Sequence, residues 1–416
     1  MSDLSGAGPA RPVSLPRRFL PPVLWMGSAE GAARLGNAVL QILLVRAMPP
    51  ARYGVFAYAY SLFLVVVALM SLGVAEAFIR EGSIRRERLG SVLAEFFSLR
   101  VLSAGATTAV VAAVALASRS DGSVVLAVGL FLVFRSLTAF LATAFRAREA
   151  ISREFALRTA ESVLLVAIAG TAVLLGWPLP TLVWALTAAA GGALAAAIAG
   201  FLVFLPGFSW TLPSSFLRRM RQAAPYGLPA VAGAWLLRID IVFLQKAGGD
   251  SERTAFFAAA ANLVLVAGLV PAIASAAVYP ALARRGSGRG MGRAVFLFFA
   301  GGAVLAAGVA LAPQLLVRLA YGARYAGAAR WTVALAPFLV FLAPGVFAAT
   351  ALAARGETFR LCVATLPPLA VQALADIALI PAHPGAVAGV TIAIEAMGAL
   401  AATFFVMLSP PRSIRS

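Results

Sequence analysis

Residues Val23 to Arg46 read VLWMGSAEGAARLGNAVLQILLVR. A helix needs about 20 apolar residues to cross a bilayer, so this stretch is long enough to span as one helix. It nevertheless contains Glu30, Arg34, Asn37 and Gln41. At about 100° per residue those four side chains fall on one narrow face, opposite Leu, Ile, Val, Ala and Gly. An ionised side chain at the bilayer centre costs roughly 2.5–3.5 kcal/mol, so such a stripe turns towards protein or water. Two readings stand. Glu30 precedes Arg34 by four residues, the favourable order for a helical ion pair, and the pair would then fix helix packing. Alternatively, the stripe is one wall of a polar cavity inside a membrane bundle.

The remaining composition agrees with a membrane setting. Of 416 residues, 62% are hydrophobic and only 12% charged, against about 25% charged in soluble domains. The formal charge is +18, yet Lys246 is the sole lysine among 34 basic residues. The arginines sit in short gaps between apolar segments, where topology signals are placed, and form no basic stripe interleaved with aromatics, so nucleic acid is not an expected partner. One cysteine, Cys362, excludes an intramolecular disulfide and a Cys metal cluster. One histidine, His383, lies in a Pro-Ala-His-Pro turn without a His or Cys companion and reads as a loop residue.

Hydropathy predicts an all-α polytopic membrane protein of twelve spans, near 23–46, 54–79, 91–117, 123–145, 157–176, 180–205, 223–247, 254–281, 293–316, 327–353, 358–380 and 385–408. Residues 1–22 read as a disordered tail, 23–205 as a first six-helix lobe, 206–222 as a linker, 223–408 as a second lobe, and 409–416 as a tail. The two termini and the even-numbered gaps hold twenty-two of the basic residues, the odd-numbered gaps eight. That excess places both termini and the linker in the cytoplasm. A shift of 201 lays Phe56-Ala57 on Phe257-Ala258 and Leu62 on Leu263. Six spans per half make this a parallel repeat, whose substrate sites lie between the halves near mid-membrane. Prolines such as Pro271, Pro337, Pro344 and the Pro367-Pro368 pair concentrate in the second half. They predict a stiff first half, a bent second half and a break at Pro367-Pro368.

Arg34, Arg135 and Arg238 lie near the middle of their spans, and Arg100 about a third of the way into span 3. The planar guanidinium fork suits a diphosphate, so these four form a candidate anion site, with Asn37 and Gln41 beside it. Glu30, Glu95 and Asp240 could instead neutralise them in structural pairs. Deep acids at Glu30, Glu76, Asp240, Asp376 and Glu395 are candidate carriers of a coupling ion, a proton or sodium. Gln372 and Asp376 share a face at i, i+4. No Walker loop, G-x-S-x-G or metal-ligand spacing occurs, so neither an enzyme nor a bound cofactor is expected.

Five motifs then point to a family. Arg52-Tyr53-Gly54-Val55-Phe56-Ala57 leads into span 2, which ends Leu72-Gly73-Val74-Ala75-Glu76-Ala77-Phe78-Ile79-Arg80. Arg238-Ile239-Asp240, Tyr279-Pro280-Ala281-Leu282-Ala283-Arg284 and Leu319-Ala320-Tyr321-Gly322-Ala323-Arg324-Tyr325 follow in order. This arrangement resembles the polysaccharide (O-antigen type) flippases of the multidrug/oligosaccharidyl-lipid/polysaccharide exporter superfamily. The resemblance implies two six-helix lobes in a V around a cationic central cavity, alternating access, and a polyprenyl-diphosphate-linked oligosaccharide as substrate. It implies that cavity arginines hold the diphosphate while the lipid tail stays in the membrane. Arg238 matches the family pattern best, and Arg34 sits where relatives carry basic residues. The near absence of lysine departs from that pattern.

The expectation is therefore a flippase of the bacterial inner membrane that moves a lipid-linked glycan from the cytoplasmic to the outer leaflet, with membrane lipid, a polysaccharide polymerase and glycosyltransferases around it. The runner-up is a cation-coupled multidrug exporter of the same superfamily. A membrane glycosyltransferase or polymerase would need a larger outer loop. A non-catalytic scaffold would tolerate loss of the cavity arginines.

Overall fold

The computed structural model describes residues 20–84, 89–118, 121–147, 150–204, 216–235, 237–285 and 290–408. Helices α1 (Leu20–Ala47), α2 (Pro50–Ser71), α3 (Val74–Ile84), α4 (Leu89–Ala117), α5 (Gly122–Ala147), α6 (Ile151–Leu175) and α7 (Leu179–Phe204) make the first half. The second half comprises α8 (Phe216–Trp235), α9 (Ile239–Gly248), α10 (Ser251–Ala267), α11 (Leu269–Arg285), α12 (Met291–Leu311), α13 (Pro313–Tyr321), α14 (Ala328–Leu335), α15 (Phe338–Ala354), α16 (Thr358–Leu379) and α17 (Val387–Leu408). No strand occurs among the described residues. Each expected span coincides with one helix or with two helices in succession. Nine helices among the described residues are long and apolar enough to cross a membrane, ten if α14 and α15, bent by 50°, are one span. The first expected span and the one holding Arg238 are not among these, and both carry arginine near their middle. Large apolar side chains such as Leu116, Leu174, Val203 and Leu311 are exposed on the outside of the bundle, an arrangement that lipid tolerates and water does not.

The helices begin and end somewhat differently from the expected boundaries. Helix α1 starts at Leu20, inside the stretch read as a tail, because Pro21 and Pro22 fall in its first turn, where their missing N–H groups have no helical partner to lose. Helix α8 starts at Phe216, inside the expected linker. Residues 1–19, 205–215 and 409–416 lie outside the described residues.

The second half is the more broken, with interruptions at Leu237-Arg238, Gly268, Ala312 and Ala336-Pro337. The first half has one at Leu72-Gly73, which no proline causes. The break expected at Pro367-Pro368 is absent: α16 runs unbroken from Thr358 to Leu379 with both prolines inside it. Proline ends a helix only where nothing compensates for the lost hydrogen bonds. The carbonyls that lose their N–H donors are those of Val363 and Ala364, four residues before each proline. Gly398 of α17 comes close to the second of them, so that a Cβ there would lie 3.7 Å from the Ala364 carbonyl oxygen. Where proline does coincide with an interruption, as at Pro313, it occupies the first turn of the next helix.

The halves meet along α2 and α10, the helices that the shift of 201 makes equivalent. Their starts touch without an intervening side chain, since a Cβ on Gly54 would lie 1.9 Å from the Ser251 carbonyl oxygen. Like ends therefore lie together, as a parallel repeat requires. On that side one apolar core crosses both halves and includes Phe56, Tyr60, Phe257 and Tyr325. Towards the other side it divides. One cluster gathers Phe78, Phe96, Phe140 and Phe201, and another gathers Leu352, Leu361, Ala402 and Val406. A core joined at one end and parted at the other is the packing of a V. Helix α8 packs on both halves, against α16 of the second and against α2 and α3 of the first, where a Cβ on Gly227 would lie 2.0 Å from the Gly73 nitrogen.

Candidate functional site

The interruption between α8 and α9 sets up the site. Leu237 is in the left-handed region at φ 58° and is fully buried. A leucine held there costs roughly 1–2 kcal/mol, which the surrounding core must offset. The turn brings Arg238 out of the helical ladder and into the space between the halves. Its Nη2 donates to Asn262 Oδ1 of α10 at 3.2 Å, and its guanidinium carbon lies 5.5 Å from the centre of the Tyr60 ring of α2. Both partners are neutral. Asp240, two residues on, faces elsewhere.

Arg238 and Asn262 line a small cavity of about 90 Å³ whose opposite wall is Arg34, Asn37 and Gln41 of α1. The polar stripe that opened the sequence thus faces the second half, and Gln41 Nε2 is buried there without a hydrogen-bond acceptor among the described residues. Asn37 reaches past this cavity and accepts from Arg135 Nη1 at 3.3 Å.

Arg135 belongs to a second cavity, of about 240 Å³, in the first half, with Tyr60, Ser136, Arg158, Glu161 and Ser162 on its walls. Its Nε is 3.1 Å from Glu161 Oε1, so this cation is neutralised. The partner is Glu161, which was not among the acids considered from sequence, although its place three residues after Arg158 in span 5 was the available signal. Arg100 is buried among the first-half helices, donates to Ser71 Oγ, and lines none of these cavities. The four deep arginines therefore do not form one cluster. Arg34 and Arg238 share a cavity, Arg135 adjoins it, and Arg100 braces the end of α2.

A third cavity, of about 400 Å³, extends from Arg238 into the second half between α8, α10, α15, α16 and α17, with Glu395 on its wall. Behind it lies a buried polar cluster. Asp240 of α9 accepts from Gln372 Nε2 at 2.8 Å and from Thr391 Oγ1 at 2.5 Å, and Asp376 of α16 lies within hydrogen-bonding range of it. Asp240, Gln372, Asp376 and Thr391 are all fully buried. Neither Asp376 oxygen nor Gln372 Oε1 has a donor among the described residues. Two carboxylates side by side repel unless a proton or a cation lies between them. Two carboxylates, an amide oxygen and a hydroxyl are also the oxygen-only donors that a hard cation takes. Among the described residues no group of three or more His, Cys, Asp or Glu gathers as for a transition metal. The side chains of Glu30 and Glu76 lie outside the described residues, and His383 is an exposed turn residue.

Two of the five quoted motifs, Arg52–Ala57 and Leu319–Tyr325, meet at the joined end of the V. Arg46 donates from Nε to the Ala320 carbonyl at 2.5 Å and from Nη2 to the Leu319 carbonyl, while Arg324 Nη2 donates to the Arg46 carbonyl. Tyr325 Oη donates to the Met48 carbonyl at 3.0 Å, and Asn262 Nδ2 donates to Tyr53 Oη at 2.8 Å. Tyr53 and Tyr325 meet edge to face, with ring centroids 6.1 Å apart. These contacts latch one half to the other. Replacing Arg324 by Ala together with Tyr325 by Phe removes two of the cross-half hydrogen bonds, each contributing about 0.5–1.5 kcal/mol. Ser61, fully buried in α2, offers a reporter: a cysteine placed there is expected to react with an impermeant thiol reagent about tenfold faster in that double variant.

Such a bundle, with charged groups turned inward and apolar ones outward, is a multi-pass membrane transporter fold. It is similar to the lipid II flippase MurJ in an inward closed conformation, at 15% identity and a TM-score of 0.68, covering 93% of this chain and 88% of that one. It is similar also to a multidrug resistance MATE family transporter of the MOP superfamily in an inward-facing conformation, at 17% identity, TM-score 0.65, and coverage of 90% and 93%. A MOP superfamily transporter from Pyrococcus furiosus, described by the reverse polarity of its binding pocket, aligns at 15% identity and TM-score 0.62 over 94% of both chains. No curated protein matches in sequence. The family model described as polysaccharide biosynthesis protein matches residues 20–285, and the chain belongs to that family.

Proposed function

We propose that this protein is a flippase that carries a polyprenyl-diphosphate-linked oligosaccharide from the cytoplasmic to the outer leaflet of the bacterial inner membrane by alternating access. The observation that carries the reading is Arg238: a guanidinium at membrane depth, between the halves, whose partners are an amide and an aromatic ring. A charge so placed costs several kcal/mol unless something compensates it, and a diphosphate is the anion its fork fits. Arg34 stands across the same cavity to take the other side of that anion. A sugar diphosphate cannot cross hydrocarbon unaided, for the same reason that buried charges are costly. The arginine excess assigns the latched face to the outside and the parted face, with both termini, to the cytoplasm.

The Asp240–Asp376 cluster takes the coupling ion, a proton or sodium, because both Asp376 oxygens and Gln372 Oε1 lack donors among the described residues and α9 joins Asp240 to Arg238. Asp376→Asn removes one of the two carboxylates. The stimulation of transport by an imposed ion gradient, about tenfold for typical linked sites, is expected to vanish in this variant while downhill movement persists. Flux measured in vesicles with and without the gradient checks this.

The reading itself is tested by deleting the gene and determining on which leaflet the lipid-linked sugar accumulates. Accumulation on the cytoplasmic side is expected, and accumulation on the outer side refutes it. One feature favours a second reading: Glu395 faces the third cavity, whose other walls are apolar apart from Arg238 and Thr365, and a carboxylate there suits a lipophilic cation. That reading predicts drug hypersensitivity, with normal surface polysaccharide, in the deletion strain.

A further inference from the structure

The cavities on either side of Arg238 differ in kind. The first-half cavity sets Arg135, Glu161, Ser136 and Ser162, donors and acceptors of the sort that hydroxyl groups satisfy, among apolar residues such as Val67 and Leu132. The second-half cavity is walled by Leu342, Val346, Ala349, Leu369 and Ile394, with Arg238, Glu395 and Thr365 its polar groups. The hydroxyl of Thr365, also on its wall, is already spent on the Leu361 carbonyl. Arg238 lines the apolar cavity directly and stacks over Tyr60, a wall residue of the polar one. Leu64 belongs to both walls.

We infer that the apolar cavity of the second half binds the first isoprene units of the lipid carrier, with the diphosphate at Arg238 and the first sugar in the polar cavity of the first half. This rests on the flippase reading and specifies how its substrate lies. The molecule to be moved is polar at one end, apolar at the other, and doubly anionic between. The protein presents the same order: a hydroxyl-binding cavity, an arginine without a carboxylate partner among the described residues, and an apolar cavity. At about 400 Å³ the last is of the size that takes small organic ligands. Helices α16 and α17, which wall this cavity, also expose Phe359, Leu374, Leu400 and Phe404, as helices bordering lipid do. The first units thus leave the membrane, contrary to what the family resemblance implies for the tail.

The test uses the full chain in lipid nanodiscs and three probes: inorganic diphosphate, farnesyl diphosphate, and a short isoprenyl diphosphate carrying a diazirine. Each buried methylene raises affinity roughly fourfold, so farnesyl diphosphate is expected to bind at least about 30-fold more tightly than inorganic diphosphate. Photolabelling is expected on peptides of α15, α16 and α17. Ala349→Phe fills the cavity and is expected to shrink the preference to under about threefold, leaving inorganic diphosphate affinity unchanged. The labelling is done on the unaltered protein, so a misfolded variant does not decide the matter. If inorganic diphosphate binds, farnesyl diphosphate binds no better, and the label falls on the first half or on lipid alone, the inference is overturned and the flippase reading stands. If neither diphosphate binds, both fall together.

Discussion

Replacing Arg238 with alanine is expected to lower translocation of the lipid-linked glycan by about 10- to 100-fold, the range set by losing one charge-assisted hydrogen bond to the substrate. The protein level and melting temperature should hardly change, because the side chain gives up only a hydrogen bond to Asn262 and a ring contact. Arg238→Lys should recover only part of the loss, since an ammonium is a point charge and cannot donate the two parallel bonds of a guanidinium. Arg135→Ala makes the informative contrast. Its partner Glu161 would be left partly buried with no counter-charge, so the expected defect is lower thermal stability ahead of any transport defect. Leaflet-resolved glycan assays paired with melting curves separate the two. Wild-type transport in Arg238→Ala would end the case for a diphosphate clamp.

Gly54→Leu is expected to be the most damaging single change to the fold. The added Cβ would sit 1.9 Å from a backbone carbonyl oxygen of Ser251, and backbone has no rotamer with which to yield. Forcing α2 and α10 apart costs on the order of 3 kcal/mol, at the upper end for overpacked sites. The expected result is a large fall in melting temperature in detergent and loss of the latch that holds Arg46 against α13. Gly105→Leu serves as control: nothing lies within 4 Å of a Cβ there, so its melting curve should stay near that of the wild type.

Much of this architecture could be read from the chain because the bilayer permits few solutions. A run of about 20 apolar residues becomes a helix, since its backbone groups have no water to turn to. The stripe of Arg34, Asn37 and Gln41 was legible for the same reason: charge inside oil must face something. The interruptions were not legible. Leu237 is neither glycine nor proline, and its left-handed backbone is held by burial in a core assembled from both halves. Tertiary packing of that kind leaves no mark on local sequence. Pro367-Pro368 misled in the opposite direction, because α17 packs on α16 there, with Gly398 close to the Ala364 carbonyl that Pro368 leaves without a donor, which proline spacing does not reveal. Asn262 was overlooked, although a lone amide after four alanines in span 8 was as conspicuous as the stripe in span 1. The depth of a charge could be judged from sequence, but its direction could not. Arg135 and Arg238 look alike by depth, and one faces a carboxylate while the other faces an amide.

Asn262 is spoken for twice. One end of its amide accepts from Arg238 and the other donates to Tyr53 at the latch. An anion that draws the guanidinium away loosens the amide, and a tyrosine that swings out with its helix does the same from the other end. Thermodynamic reciprocity then applies: by whatever factor cargo shifts the balance between latched and unlatched forms, unlatching alters the hold on cargo by that factor. One amide shared in this way would let the grip on an anion and the closing of the door answer to each other, with no separate messenger between them.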